Sequence, residues 1–200
     1  MNSSSSHLAA PVLPARSAPR KSPTAAELAA AAGRTLPDVI APDLTVLFCG
    51  INPGLLSAAV GRHFARPGNR FWPALHRGGF TDIQLHPEQQ DELVNLGLGV
   101  TNVAARATAR ADELTAAELI DGGRILRRKV ARYRPRWVAV LGIGAYRTAF
   151  GVRDAVIGAQ PEPLAGARVW VLPNPSGLNA HYTLPRLSAE FAALRRAAEH

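Results

Sequence analysis

Residues 44–54 read LTVLFCGINPG. The first seven form a β-branched and aliphatic run closed by Gly50, the pattern of a central strand in a parallel sheet, buried on both faces. Asn-Pro-Gly then forces the chain out of the sheet. Pro53 fixes its own φ and biases Asn52 away from helical backbone, while Gly54 tolerates a turn or the close approach of a ligand. The expected product is a rigid, exposed Asn52 at the sheet rim, able to accept a hydrogen bond from water through its carbonyl and to donate through its nitrogen. Alone, such a turn needs no catalytic task. It has a near copy, however: RVWVLPNP, residues 168–175, closes a second apolar run and leads into Ser176, Gly177 and Leu178.

A third run, WVAVLGIG at 137–144, has the same strand character. Before it, GGRILRRKVARYRP at 122–135 puts Ile125, Leu126, Val130 and Tyr133 on one face and Arg and Lys on the other, as expected of an amphipathic helix covering a sheet. Near the end, Leu184, Leu187, Phe191 and Leu194 recur at helical spacing, with Thr183 as cap and Pro185 in the first turn. Strands alternating with helices predict an α/β fold of three layers, α/β/α, around a short, mainly parallel sheet. In such folds ligands bind beyond the carboxyl ends of the strands, where both Asn-Pro loops fall.

The 200 residues, 47% of them hydrophobic, suffice for one domain with a real core. Residues 1–37, with SSSS, repeated Pro and Ala, and Arg16, Arg20 and Lys21, read as a flexible basic arm, and 38–200 as a single domain. Within the arm, TAAELAAAAG at 24–33 suits a short helix with a Thr24 cap, Glu27 three residues on, and a Gly33 stop. Twenty-three Lys and Arg against 15 Asp and Glu give a net charge of +8, which favours a polyanionic partner, nucleic acid ahead of an acidic membrane surface. The densest basic run, residues 127–136, reads as the solvated face of its helix. Trp72, Trp137 and Trp170 read as core residues.

One cysteine, Cys49, rules out an intrachain disulfide and four-thiolate metal sites, and the six histidines lack ligand spacing, so no metal site is expected. No stretch is apolar enough for a membrane span or a secretory signal, which points to the cytoplasm. A phosphate-cradling loop is absent. Ser176 with His181 and an Asp could be read as a hydrolase triad, but no nucleophile-elbow sequence surrounds Ser176.

Taken in order, FCGINPG, FARPGNRFW, GVTN, LGIGAY and VWVLPNPSGLN resemble the mismatch-specific uracil and thymine DNA glycosylases of the uracil-DNA glycosylase superfamily, over about Leu44 to Leu194. The resemblance implies that Asn52 positions the water attacking C1′ of the damaged nucleotide and that Phe64 stacks on the flipped base, with Ile51, Gly54 and Asn174 completing the base pocket. It implies also that Pro175, Ser176, Gly177 and Leu178 enter the duplex, Leu178 as the wedge and Gly177 against the opposite guanine. Asn102 and Asn69 are supporting candidates. Gly54 and Asn174 stand where strictly uracil-specific relatives carry an aromatic and a histidine, so thymine or ethenocytosine becomes an expected substrate beside uracil. The implied partner is double-stranded DNA with a G:U or related mismatch, bound by a monomer without cofactor. The rival reading is a mismatch-binding protein that does not cut.

Overall fold

The computed structural model describes residues 22–199. Strands β1 (Val46–Gly50), β2 (Leu98–Asn102), β3 (Trp137–Leu141), β4 (Gly158–Leu164) and β5 (Ala167–Leu172) form one sheet in the order β2-β1-β3-β5-β4. β1 runs parallel to β2 and β3, and β3 parallel to β5; β4 alone is antiparallel. The three apolar runs are thus adjacent central strands. β2 and β4 are the edges. Two prolines and a mostly exposed surface fit β4 to that place, since an edge strand can lose a ladder donor without leaving a buried carbonyl unpaired.

Helices α2 (Leu55–Val60), α3 (Phe71–Arg77), α4 (Glu92–Asn95), α5 (Ala116–Tyr133) and α6 (Ile143–Phe150) fill the connections, and α7 (Leu184–Ala198) follows the last strand. Alternation along β1 divides the core. Val46 and Phe48 face a cluster built from α3 and α7, with Phe71, Leu75, Leu187 and Phe191; Leu47 and Cys49 face a second one with Leu126, Val130 and Tyr146 from α5 and α6. Trp72 and Trp137 are buried in the first cluster and Trp170 packs against it.

The covering helix differs in its inward face from the expected one. α5 begins at Ala116, behind a Thr115/Glu118 capping box, and buries Gly122, Gly123, Leu126 and Val130. Ile125 is 48% exposed. The two glycines decide this: a Cβ on Gly122 would lie 2.2 Å from the Val103 carbonyl oxygen, and one on Gly123 2.6 Å from that of Ala149. Only a stripe of glycine can approach that closely, and it rotates Ile125 into solvent.

At the other end, the short helix α1 (Ala25–Ala29) carries the expected capping box, with Thr24 accepting from Glu27 N–H and Glu27 accepting from Thr24 N–H. Packed chain begins ahead of residue 38. Ala31 is fully buried, Gly33 N–H donates to Ala107 O, and Ala107 N–H donates to Arg34 O. Val39 then exchanges backbone hydrogen bonds with Val100, covering the outer edge of β2. Residues 1–21, most of the arm, lie outside the described residues. No helix among the described residues is long and apolar enough to cross a membrane.

Candidate active site

β1, β3 and β5 end together, and the loops that leave them border one cleft of about 490 Å3, a size within the roughly 300–1,000 Å3 of small-molecule sites. Ile51, Asn52 and Gly54 come from the loop after β1, Leu141 from the end of β3, and Asn174, Pro175, Ser176 and Leu178 from the loop after β5. Phe64 and Arg66 close one side, and residues 108–112 another. The β1/β3 boundary is where successive connections leave in opposite directions, the switch point at which open α/β sheets hold ligands.

Asn52 is fixed by its nitrogen. Nδ2 donates to Arg106 O at 2.9 Å and to Thr108 Oγ1 at 2.7 Å, and approaches Pro53 O at 3.3 Å. Backbone carbonyls only accept, so these partners settle which end of the amide is nitrogen. Thr108 in turn donates to Arg110 O at 2.7 Å, which leaves its oxygen lone pairs for Asn52. Both amide hydrogens are therefore occupied. Oδ1, without a protein partner among the described residues, is the atom left to accept from water. The sequence alone left both ends of this amide open to solvent; the fold commits one of them.

The support continues outward. Arg106 Nε donates to Glu118 Oε1 at 2.6 Å, and Glu118 also closes the α5 capping box. The Arg106 guanidinium and the Thr115 donors hold the Glu118 carboxyl at a pKa of about 2, and the same contact raises that of Arg106. Arg106 thus has a carbonyl on the Asn52 amide and a guanidinium tied to a helix start.

Phe64 is half-buried, with one ring face stacked on Phe71 at 4.1 Å between centroids and 25° between planes. Its φ is +52°, a left-handed backbone that costs a non-glycine residue on the order of 1–2 kcal/mol. The neighbours hold it there: His63 N–H donates to Gln90 Oε1 at 2.8 Å, Ala65 N–H to Ser57 Oγ at 3.1 Å, and Trp72 Nε1 to His63 O at 3.3 Å.

Across the cleft, Asn174 Oδ1 accepts from Ser176 N–H at 3.0 Å, and its Nδ2 has no acceptor among the described residues. Leu178 is 71% exposed. Gly177 packs on the neighbouring loop, where a Cβ would lie 2.6 Å from Gly68 O, so its lack of a side chain has a packing cause as well as the expected one. At Gly54 the space is open: a Cβ would meet nothing within 4 Å.

The supporting candidates part company. Asn102 stands beside Gly50, its register partner, where a Cβ would lie 2.5 Å from Asn102 Oδ1 and 3.4 Å from Phe64 Cζ. It therefore borders the platform. Asn69 does not line the cleft; its Oδ1 accepts from Phe71 N–H at 2.9 Å and starts α3. Ser176 Oγ accepts from Leu178 N–H, and no hydrogen bond among the described residues joins it to the exposed His181, so the triad reading fails. Thr108 was not visible from sequence as a site residue, because its partner lies 56 positions away and no spacing rule connects them.

A family model described as the Uracil DNA glycosylase superfamily matches residues 37–198. The chain belongs to that superfamily. The membership of this glycosylase implies hydrolysis of an N-glycosidic bond in DNA. The solution NMR structure of a protein designated a candidate uracil DNA glycosylase from Methanosarcina acetivorans is similar, with a TM-score of 0.58 at 22% identity over 84% of this chain and 99% of that one. At that identity the likeness speaks for the fold alone.

Proposed function

We propose that the chain is a monofunctional, mismatch-directed DNA glycosylase that rotates uracil opposite guanine out of the duplex and hydrolyses it from its sugar, leaving an abasic site. The observation that carries this reading is the convergence, in one cleft, of an acceptor-only Asn52 Oδ1, a half-buried Phe64 ring and a loop tipped by exposed Leu178. A base cannot react inside the stack. Extrusion costs a few kcal/mol, and less for a mispaired base, so the mismatch itself contributes to selection. Leu178 would occupy the space the base leaves, as apolar wedges do between base steps.

In the cleavage step water attacks C1′, the C1′–N bond breaks, and its electron pair leaves with the base. The amide of Asn52 cannot take up the water's proton near neutral pH, so it orients water through Oδ1 and the proton passes to solvent. Negative charge grows on the base, where a free donor such as Asn174 Nδ2 or the Ile51 N–H stabilises it. Slow chemistry follows from so weak a base. The open space at Gly54 supports access for pyrimidines enlarged at C5 or ring-fused, thymine and ethenocytosine among them.

A labelled G:U duplex incubated with the protein and then heated in alkali tests the reading: strand cleavage at the uracil position is expected. Retarded but intact DNA would show a binding protein instead. Asn52→Ala should lower the single-turnover rate by at least about a hundredfold with duplex affinity nearly unchanged, the magnitude of losing one positioning group in a preorganised site. Equal loss of binding and rate would make Asn52 structural.

A further inference from the structure

We propose that Arg70 is a positioning residue for the intruding loop, a clamp that sets the distance between the Leu178 wedge and the Phe64 platform; the assignment rests on the reading of residues 175–178 as the loop that enters DNA. Arg70 lies at the end of the segment that carries Phe64 and immediately before α3. Its backbone N–H donates to Pro175 O at 2.9 Å. Its guanidinium donates to the carbonyls of Ser176 and Tyr182, and to that of Asn179 at 2.9 Å. One residue therefore gathers four carbonyls from a single loop.

The loop has little else to hold it outward. Its other hydrogen bonds are local, as in Ser176 N–H to Asn174 Oδ1 and Asn179 Nδ2 to Asn174 O, and these shape the turn without fixing where it stands. Leu178 at its tip is exposed and has no core to lean on. Gly177 rests on Gly68, inside the same segment as Arg70, so both anchors tie the wedge to the platform side of the cleft.

The chemistry of the anchor is specific. A guanidinium presents several N–H donors in a rigid fork, whereas an ammonium offers one point of attachment on a flexible stem. No carboxylate pairs with Arg70 among the described residues, and its Nε is buried without a hydrogen-bond partner. A buried donor left unsatisfied is costly, and calls for a compensating purpose. Here the fork is turned toward the loop carbonyls at the expense of its own third nitrogen. A guanidinium so engaged is not the one that grips a phosphate.

The test is a double-mutant cycle under single-turnover conditions on a G:U duplex, with Arg70→Lys, Arg70→Gln and Leu178→Ala. Arg70→Lys keeps the charge and loses the fork; it is expected to slow base release by roughly ten- to a hundredfold, the loss that accompanies charged hydrogen bonds. In the Leu178→Ala background the same change should cost less than about twofold, because a clamp without a wedge has nothing to position. Hydrogen exchange at residues 176–182 should quicken in the folded Arg70→Gln protein. Equal losses in both backgrounds, or a failure of both Arg70 variants to fold, would overturn the clamp alone and make Arg70 a residue of general stability. A weaker hold on undamaged duplex with an unchanged rate at saturation would make it a phosphate contact. A Leu178→Ala enzyme as fast as the parent would overturn the loop-intrusion reading and the clamp with it.

Discussion

At the scale of single residues, the site is a division of labour between the two ends of small amides. Asn52 spends its nitrogen on the Arg106 carbonyl and Thr108 and keeps its oxygen; Asn174 spends its oxygen on Ser176 N–H and keeps its nitrogen. Among the described residues, one unpaired acceptor and one unpaired donor thus border a common cleft, the polarity that the proposed reaction asks for its attacking water and departing anion. Thr108 decides the first of these. It is 3% exposed, and Thr108→Val would keep its volume while removing the acceptor from Asn52 Nδ2. The lost hydrogen bond corresponds to about 0.5–1.5 kcal/mol, and the freed amide can rotate. Single-turnover base release should fall about tenfold, Thr108→Ser should restore most of it, and duplex affinity should hold. An unchanged rate for Thr108→Val would show that Asn52 is oriented without it. The placement of Asn52 and Asn174 at strand ends was legible because Pro and Gly after an apolar run leave a local signature. That of Thr108 was not, because a side chain reaching across 56 positions leaves none.

Among elements, the same distinction holds. β1 and β3 announce themselves because burial on both faces demands unbroken apolar runs, β5 because 169–172 is apolar throughout, and α7 because its one buried stripe repeats at helical spacing. β4 has no such demand on it, and the two glycines of α5 mislead a reading that counts only large apolar residues. The segment from Gly61 to Arg70 shows what packing adds. His63 within it is only 2% exposed, and its Nε2 lies 2.9 Å from Pro37 O, so the neutral tautomer with a proton on Nε2 holds the N-terminal segment against the platform loop. Burial keeps the His63 pKa below its ordinary value, with Lys129 adding to that effect and the Pro37 bond and Asp38 opposing it. The unfolded chain takes up its proton near the usual value of about 6.5 while the folded one resists. Stability is therefore complete above that pH and declines as pH falls below it, until the folded imidazole also titrates. Urea midpoints measured from pH 8 to pH 5 should drop for the parent, and drop less for His63→Gln, whose amide nitrogen can replace the Nε2 donor. Parallel curves for the two proteins would place the acid sensitivity elsewhere.

For the molecule as a whole, the question is where its 23 Lys and Arg are engaged. Several are unavailable for DNA. Arg70 is turned inward, Arg62 lies 3.7 Å from Asp91, and on or beside α5 Arg124 and Arg134 pair with Asp121 and Asp43. At the cleft itself the basic side chains are Arg66 and Arg110, and Arg110 is shared with Asp112 at 2.6 Å. A cleft so lightly charged suits an uncharged base better than a polyanion. We propose that capture falls partly to the segment before residue 22, with Arg16, Arg20 and Lys21. Each phosphate neutralised adds about 0.9 to the slope of log affinity against log salt, so a chain beginning at Ser22 should lose up to about 2.7 from that slope on undamaged duplex. Its base-release rate at saturating enzyme should match that of the full chain, since every described residue lining the cleft lies at or beyond Gly50. Fluorescence anisotropy across a salt series, paired with single-turnover release, reads both quantities. An unchanged slope would remove the arm from DNA binding, and a slower saturated rate would bring it into the cleft.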